Sequence, residues 1–206
     1  MTALRWLLPL GIVAVLLFAP TLSEPVLRPL APPGAPVIYD RATLSSLTGW
    51  HLLMVGMAIV PSTIIGVLLA VLVSRPSGAE FLPLSRTLAN LGQTFPPVAV
   101  LALSVPLLGF GSWPTVLALF LYGLLPIFEN ALAGLRGISE DVELSAKAVG
   151  MTELQAIRHV ELPLALPLIL EGIRISTVIA LSTATIGSTV AARSLGEVII
   201  AGLTSN

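Results

Sequence analysis

Long apolar runs alternate along this chain with short polar breaks, and the runs are of membrane length. The first extends from about Leu4 to Pro20. The second, Gly49 to Val73, holds no acid or base apart from His51 near its start. At a rise of about 1.5 Å per residue, such a run crosses the hydrocarbon core of a bilayer with some tilt. Leu88 to Leu108, broken by Pro96-Pro97 and Pro106, predicts a third span, and Thr115 to Leu132 a fourth. Pro163 to about Val190 predicts a fifth, because proline is tolerated at the first position of a helix. Residues 21–47 carry closely spaced prolines and no apolar period, which predicts an irregular extracytoplasmic loop. FAPTLSEP shows no small-residue cleavage site, so the first run is expected to be a retained helix at 4–20, not a signal peptide. The tail AARSLGEVIIAGLTSN is too short and too polar to add a span. The pattern predicts an all-α polytopic transmembrane bundle, one domain over 1–206, with its core spans at 49–190.

Composition agrees. Of 206 residues 55% are hydrophobic and 10% charged, with a mean hydropathy of +0.98. A soluble domain carries about 25% charged residues, so this chain needs the bilayer as solvent for much of its surface. The ten basic residues are scattered and form no patch for nucleic acid. Cysteine is absent, which excludes disulfides and thiolate metal sites. Basic residues in short loops orient membrane proteins. With the N-terminus inside, Arg5, Arg75, Arg86, Arg136, Lys147 and Arg158 fall on the inner side, against Arg28, Arg41 and Arg193 outside.

One long charged stretch, Glu140 to Pro163, then lies in the cytoplasm between the fourth and fifth spans. Ser139 is a candidate N-cap, and Glu140 and Asp141 suit the positive first turn. Glu143 and Lys147 are spaced for a helical pair. Gly150 ends that helix. Thr152 and Gln155 read as a capping box that starts another at once, with Leu154, Ile157 and Val160 on one face and Leu162-Pro163 closing the segment. A solvated linker needs neither two caps nor an apolar stripe, so residues 139–162 are expected to dock a soluble partner.

Ser145-Ala146, Gly150, Val160 and Leu162-Pro163, in that spacing, resemble the EAA loop of binding-protein-dependent ABC importer permeases, with the family's Glu falling on Leu144 beside Glu143. Gln93-Thr94 with Pro96, Leu107 to Gly111, Leu121 to Ile127, Gly134 to Gly137, Val160 to Pro167 and Gly172-Ile173-Arg174 resemble the osmoprotectant branch, which serves glycine betaine, choline and carnitine. Where that branch has a glycine-rich stretch, this chain reads Ala191-Ala192-Arg193-Ser194-Leu195-Gly196-Glu197, and the family carries one further span beyond it. The resemblance implies a type I importer permease of the bacterial inner membrane, working by alternating access. Its coupling residues would be Glu143, Leu144, Ser145, Ala146, Lys147, Gly150, Leu154, Ile157, Val160, Leu162 and Pro163. The implied partners are a cytoplasmic ATPase dimer, a second permease chain (identical or paralogous) and an extracytoplasmic binding protein.

The chain has no G-x-x-x-x-G-K-[ST] loop, and its sole lysine, Lys147, lacks that context. It is therefore expected to bind no cofactor of its own, with ATP and Mg²⁺ used by the partner, and to be no enzyme. Lone His51 and His159 make no metal pattern. Eleven aromatics, mostly singletons, suggest no cage for a quaternary ammonium group. Polar side chains inside spans face a cavity or a neighbouring helix. That makes Asn90, Gln93, Thr94, Ser182 and Thr185 pathway candidates, although hydroxyls also bond back to their own helix. Glu171 with Arg174 reads as a structural ion pair, and Glu129 as an acid snorkelling near the inner end of its span. An assembly subunit, or an intramembrane enzyme, is the alternative function class.

Overall fold

A computed structural model describes residues 4–31, 34 and 36–204, the side chains of residues 4–6 excepted. Arg5, used above for orientation, therefore lies outside the described side chains. Every regular element among the described residues is helical.

Helix α1, Leu4–Phe18, bends by 116° into a run of short turns over Pro20–Leu30. That run replaces the first part of the irregular loop expected at 21–47, whereas residues 36–43 form no regular element and 44–47 belong to the next helix. It contains α2, Glu24–Leu27, between two 3₁₀ turns, each with proline in its first two positions, where the missing N–H is harmless. Helix α3, Leu44–Ser74, starts five residues before the expected Gly49. The Thr43 hydroxyl caps it by accepting the Ser46 N–H.

The predicted third span is two helices, α4 at Leu82–Thr94 and α5 at Pro97–Leu108, bent by 97°. Phe95 is extended, as a residue before proline prefers, and Pro96 and Pro97 open α5. Helix α6, Ser112–Arg136, runs beyond the expected Thr115–Leu132 at both ends. After α7 (Glu140–Ala148) and α8 (Glu153–Ala156), a π turn over Ile157–Glu161 leads straight into α9, Leu162–Thr183. A 3₁₀ stretch, Ala184–Val190, and α10, Gly196–Thr204, follow.

Packing fixes the topology around α6. Met54 and Val55 of α3 cluster with Val116 and Leu119 near the start of α6. Val73 clusters with Leu132 and Leu135 near its end, so α3 and α6 are parallel. The α4–α5 pair leaves the end of α3 and reaches the start of α6, so it crosses the bundle as one broken span and does not turn back as a hairpin. Arg86 pairs with Glu129 and Gln93 bonds to Tyr122, which sets α4 antiparallel to α6. Helix α9 is antiparallel to α6 as well, with Ala165 beside Gly134 and Gly172 beside Pro126. One end of the bundle gathers Ser74, Arg136, the α7–α8 segment and the start of α9. The opposite end gathers Leu44, Ser112 and Val190. At that opposite end Tyr39 of the loop donates to Glu197 of α10 at 3.2 Å, and buried His51 donates from Nε2 to the Leu181 carbonyl at 3.0 Å.

Lipid offers no hydrophobic gain when helices meet, so small residues and close contact hold such bundles. A Cβ on Gly92 would overlap the Leu121 carbonyl, and one on Gly172 would lie 2.9 Å from the Pro126 carbonyl oxygen. Gly56 in α3 has open space at that position. Gly92→Ala is expected to cost about 1–3 kcal/mol by forcing α4 off α6, whereas Gly56→Ala is neutral or stabilises by up to about 1 kcal/mol. Thermal unfolding of the purified protein in detergent measures both.

Candidate functional site

The charged segment is built from local rules. Ser139 takes the extended conformation of an N-cap, but its hydroxyl makes no capping bond, which corrects that expectation. Its carbonyl instead accepts the Val142 N–H at 3.1 Å and the Glu143 N–H at 3.4 Å. Helix α7 ends at Gly150, whose φ of +82° is the left-handed conformation glycine tolerates. The Gly150 N–H donates to Lys147 at 3.0 Å and the Met151 N–H to Ala146 at 3.1 Å, a Schellman closure. Thr152 and Gln155 form the full capping box: the Gln155 amide oxygen accepts the Thr152 N–H at 2.9 Å, and the Thr152 hydroxyl accepts the Gln155 N–H at 3.4 Å.

Leu162-Pro163 does not close the segment. The chain is helical from Glu153 to Val190, 38 residues. The ring of Pro163 would crowd the carbonyl four residues earlier in a regular helix. The π turn widens the backbone there, and the Leu162 N–H bonds the Ile157 carbonyl five residues back. The same turn shifts the register of the expected stripe. Leu154 is 74% exposed, while Ile157 and Val160 are half-buried.

Most other predicted coupling residues lie at the surface. Glu143, Leu144, Ser145, Lys147, Gly150 and Pro163 are exposed, Leu162 is half-buried, and Ala146 is the buried anchor of α7. Leu144, Val149 and Leu154 present large apolar side chains around the Gly150 bend, at 60%, 73% and 74% exposure. Behind them a cavity of about 400 Å³ separates the segment from the ends of α3 and α6, lined by Arg75, Arg136, Glu140, Glu143, Lys147 and Glu153 among others.

Across that cavity Arg75, at the end of α3, grips Glu161 in the π turn with both terminal nitrogens, Nη1 to Oε1 at 3.0 Å and Nη2 to Oε2. The Glu161 side chain is 7% exposed. The hydrogen bond to Glu161 raises the Arg75 pKa above its usual value, against the desolvation that lowers it. In the sequence alone, Arg75 bears only on orientation and Glu161 only on the Val160 to Pro167 stretch, with no partner evident for either. The signal was there in an arginine directly after an apolar span and an acid two positions before Pro163, but their pairing spans 86 positions.

The pathway candidates divide. Gln93 Nε2 donates to the Tyr122 carbonyl at 3.0 Å, and Asn90 is exposed on the same helix. Thr94, Ser182 and Thr185 bond back to carbonyls of their own helices, at 3.1, 3.2 and 2.7 Å. Glu129 does not snorkel alone but takes two hydrogen bonds from Arg86, at 2.8 and 3.1 Å, and Arg86 belongs to α4 instead of an inner loop. Glu171 and Arg174 pair at 3.3 Å. His159 is exposed, its ring against the Gln155 carbonyl. Among the described residues no His, Cys, Asp or Glu cluster could hold a metal.

These features define a polytopic helical membrane protein with a capped, charged helix–bend–helix at one end. The family model for the inner-membrane component of binding-protein-dependent transport systems matches residues 62–206, and the chain belongs to that family. It is 40% identical over 156 residues to the osmoprotectant import permease protein OsmY of Salmonella typhimurium, covering 76% of this chain and 66% of that protein. It is 40% identical over 147 residues to the choline transport system permease protein OpuBB of Bacillus subtilis, covering 68% of each. It is 39% identical over 156 residues to the glycine betaine/carnitine/choline permease protein OpuCB of the same organism, covering 76% of this chain and 71% of that one. The match thus spans about two thirds of these relatives' lengths. The fold is similar to a chain of the inward-facing MetNI methionine ABC transporter, with a TM-score of 0.65 at 22% identity over 75% of this chain and 77% of that one.

Removing one partner of a partly buried ion pair costs more than at the surface. Glu161→Gln and Arg75→Gln are each expected to lower stability by about 1–3 kcal/mol. The double variant should lose less than the sum, because both changes remove one interaction. A double-mutant cycle of thermal unfolding reads the coupling.

Proposed function

We propose that this chain is a membrane-spanning subunit of an ATP-driven importer of osmoprotectants such as glycine betaine, choline or carnitine. One observation carries the reading: three apolar side chains, Leu144, Val149 and Leu154, stand exposed on a charged elbow closed by the Gly150 turn and the Thr152–Gln155 capping box. Burying each against a partner would stabilise the contact by about 1.5–3 kcal/mol. The similarity to osmoprotectant permeases supports the substrate class. The excess of Arg and Lys at that end supports an N-terminus and elbow in the cytoplasm.

In this reading a cytoplasmic ATPase dimer seats the elbow and uses ATP with Mg²⁺, while this chain binds no nucleotide. A second permease chain, identical or paralogous, completes the path, and a binding protein delivers substrate at the opposite end. Closure of the ATPase moves the elbow as a rigid body, and the spans follow through the Arg75–Glu161 link and the continuous Glu153–Val190 helix.

Proteoliposomes holding the chain with its ATPase and binding protein are expected to accumulate labelled glycine betaine, choline or carnitine when ATP is present on the elbow's side. Tight assembly without uptake would make it an assembly subunit. Uptake without an ATPase would make it a channel or a carrier driven otherwise.

Leu154→Asp, and Gly150→Val at a φ of +82°, are expected to lower uptake roughly tenfold or more, the loss of about 1.4 kcal/mol or more of docking energy. Membrane insertion should be unchanged. Normal uptake by both variants would end the docking assignment.

A further inference from the structure

After α1 the chain turns sharply and keeps a pattern that neither the bundle nor the elbow uses. The short turns over Pro20–Leu30 are contiguous and bend by 116° from α1. Leu22, Val26 and Leu30 recur every four residues, so they share one face, and they are 68%, 73% and 81% exposed. Glu24 and Arg28 are also four apart but two positions out of phase, about 200° away around the axis. There Arg28 Nη2 donates to Glu24 Oε1 at 2.5 Å. The run packs mainly on its own turns and on the end of α1.

Three observations say what covers the apolar stripe. The first is angle. The bend exceeds a right angle by 26° (116° less 90°), so α1 tilted by that much from the membrane normal lays the run flat in the membrane plane. Spanning helices tilt by about 20° on average and by up to about 40°. The second is depth. Glu24 and Arg28 keep the run out of the hydrocarbon interior. From it the chain leads to Tyr39 and the start of α3, at the end of the bundle opposite the elbow. The third is continuity. Val15, Leu16 and Phe18 of α1 are exposed, so the stripe extends an apolar surface already present on a span.

The backbone is suited to that place as well. The N–H groups of Leu22, Glu24, Arg28 and Ala31 bond carbonyls within the run or at its edge, and the Ser23 hydroxyl donates to the Pro20 carbonyl at 2.6 Å. Pro20, Pro25 and Pro29 have no N–H to leave unpaired. Polar groups satisfied in this way can enter the boundary between headgroups and acyl chains.

We infer that Pro20–Leu30 is an interfacial strap, lying in the lipid surface at the end opposite the elbow. Leu22, Val26 and Leu30 sit among the upper acyl chains, and the Glu24–Arg28 pair faces water. The pair neutralises itself, so the strap holds by apolar burial and draws little on headgroup charge. It sets the level of the loop that follows, whose Tyr39 is bonded to Glu197, and so gives the bilayer surface a grip on α10. The inference goes beyond the importer reading and does not rest on it.

The sequence has no cysteine, so single spin labels report single positions. Thr21→Cys, Leu22→Cys, Val26→Cys and Leu30→Cys carry a nitroxide in the full-length chain. All four positions are exposed, so the labels leave the packing intact. The vesicles are phosphatidylcholine alone, or phosphatidylcholine mixed with phosphatidylglycerol. Collisions with oxygen, which concentrates in lipid, and with a water-soluble nickel chelate give the depth of each label. The oxygen-to-nickel ratio is expected to be at least about threefold higher at positions 22, 26 and 30 than at 21, with depths of about 5–10 Å. Phosphatidylglycerol should leave it unchanged. Nickel access as high at 22, 26 and 30 as at 21 would put the stripe in water and overturn the strap. Shielding of the three from both reagents would mean that protein covers them, and depths near the midplane would make the run half of a broken span; either result also overturns it.

Discussion

Close approach of backbones to α6 is the constraint on which this bundle depends. A membrane interior rewards contact between helices through dispersion and geometry, since the hydrophobic driving force is already spent on insertion. Gly66 lets α3 meet Ile127 and Phe128, Gly92 admits α4 at Leu121, Gly134 and Gly172 admit α9, and Gly187 meets Thr115. Gly66 and Gly172 meet α6 at the same level, on Ile127, with Gly92 and Gly134 to either side of it, so three helices are fixed in register along α6. Phe128, Ile127 and Leu119 fill the seams and are fully buried. Where the approach is close, hydroxyls add bonds: Ser176 donates to the Gly123 carbonyl at 2.7 Å and Ser62 to the Phe120 carbonyl at 2.9 Å.

The second organising contact is electrostatic and lies where that packing ends. Past Ser74 and Arg136 the helices leave their apolar surroundings, and the charged segment would otherwise hang from α6 and α9 alone. Arg75 and Glu161 add a third attachment, to α3. Their site is dry enough to strengthen the pair and wet enough, through the adjoining cavity, to spare it a full desolvation cost.

The sequence was most legible where structure is local. Gly150, Thr152 and Gln155 act through bonds to residues within five positions, and their motif can be read from spacing. Apolar runs marked where helices would lie, but run length carries no angle, so the 97° bend at Phe95-Pro96 could be placed and not measured. Leu162-Pro163 misled for a physical reason: proline forbids one hydrogen bond, and a π turn supplies a helix that does not need it. Ser139 misled because a capping residue type does not guarantee that its hydroxyl turns inward. The candidate site was legible as a surface elbow and illegible in its attachments. Arg75 to Glu161 and Arg86 to Glu129 join residues 86 and 43 positions apart, and nothing in one-dimensional spacing distinguishes a paired arginine from a snorkelling one.

The unbroken helix from Glu153 to Val190 has a mechanical corollary. Were it jointed at Pro163, a push at one end would be absorbed there; as a continuous helix seated on α6 at Gly134, Gly172 and Ser176, it hands that push on to its neighbours. Work delivered at the elbow then reaches α6 and α3 as one load shared by three spans, without melting a single turn.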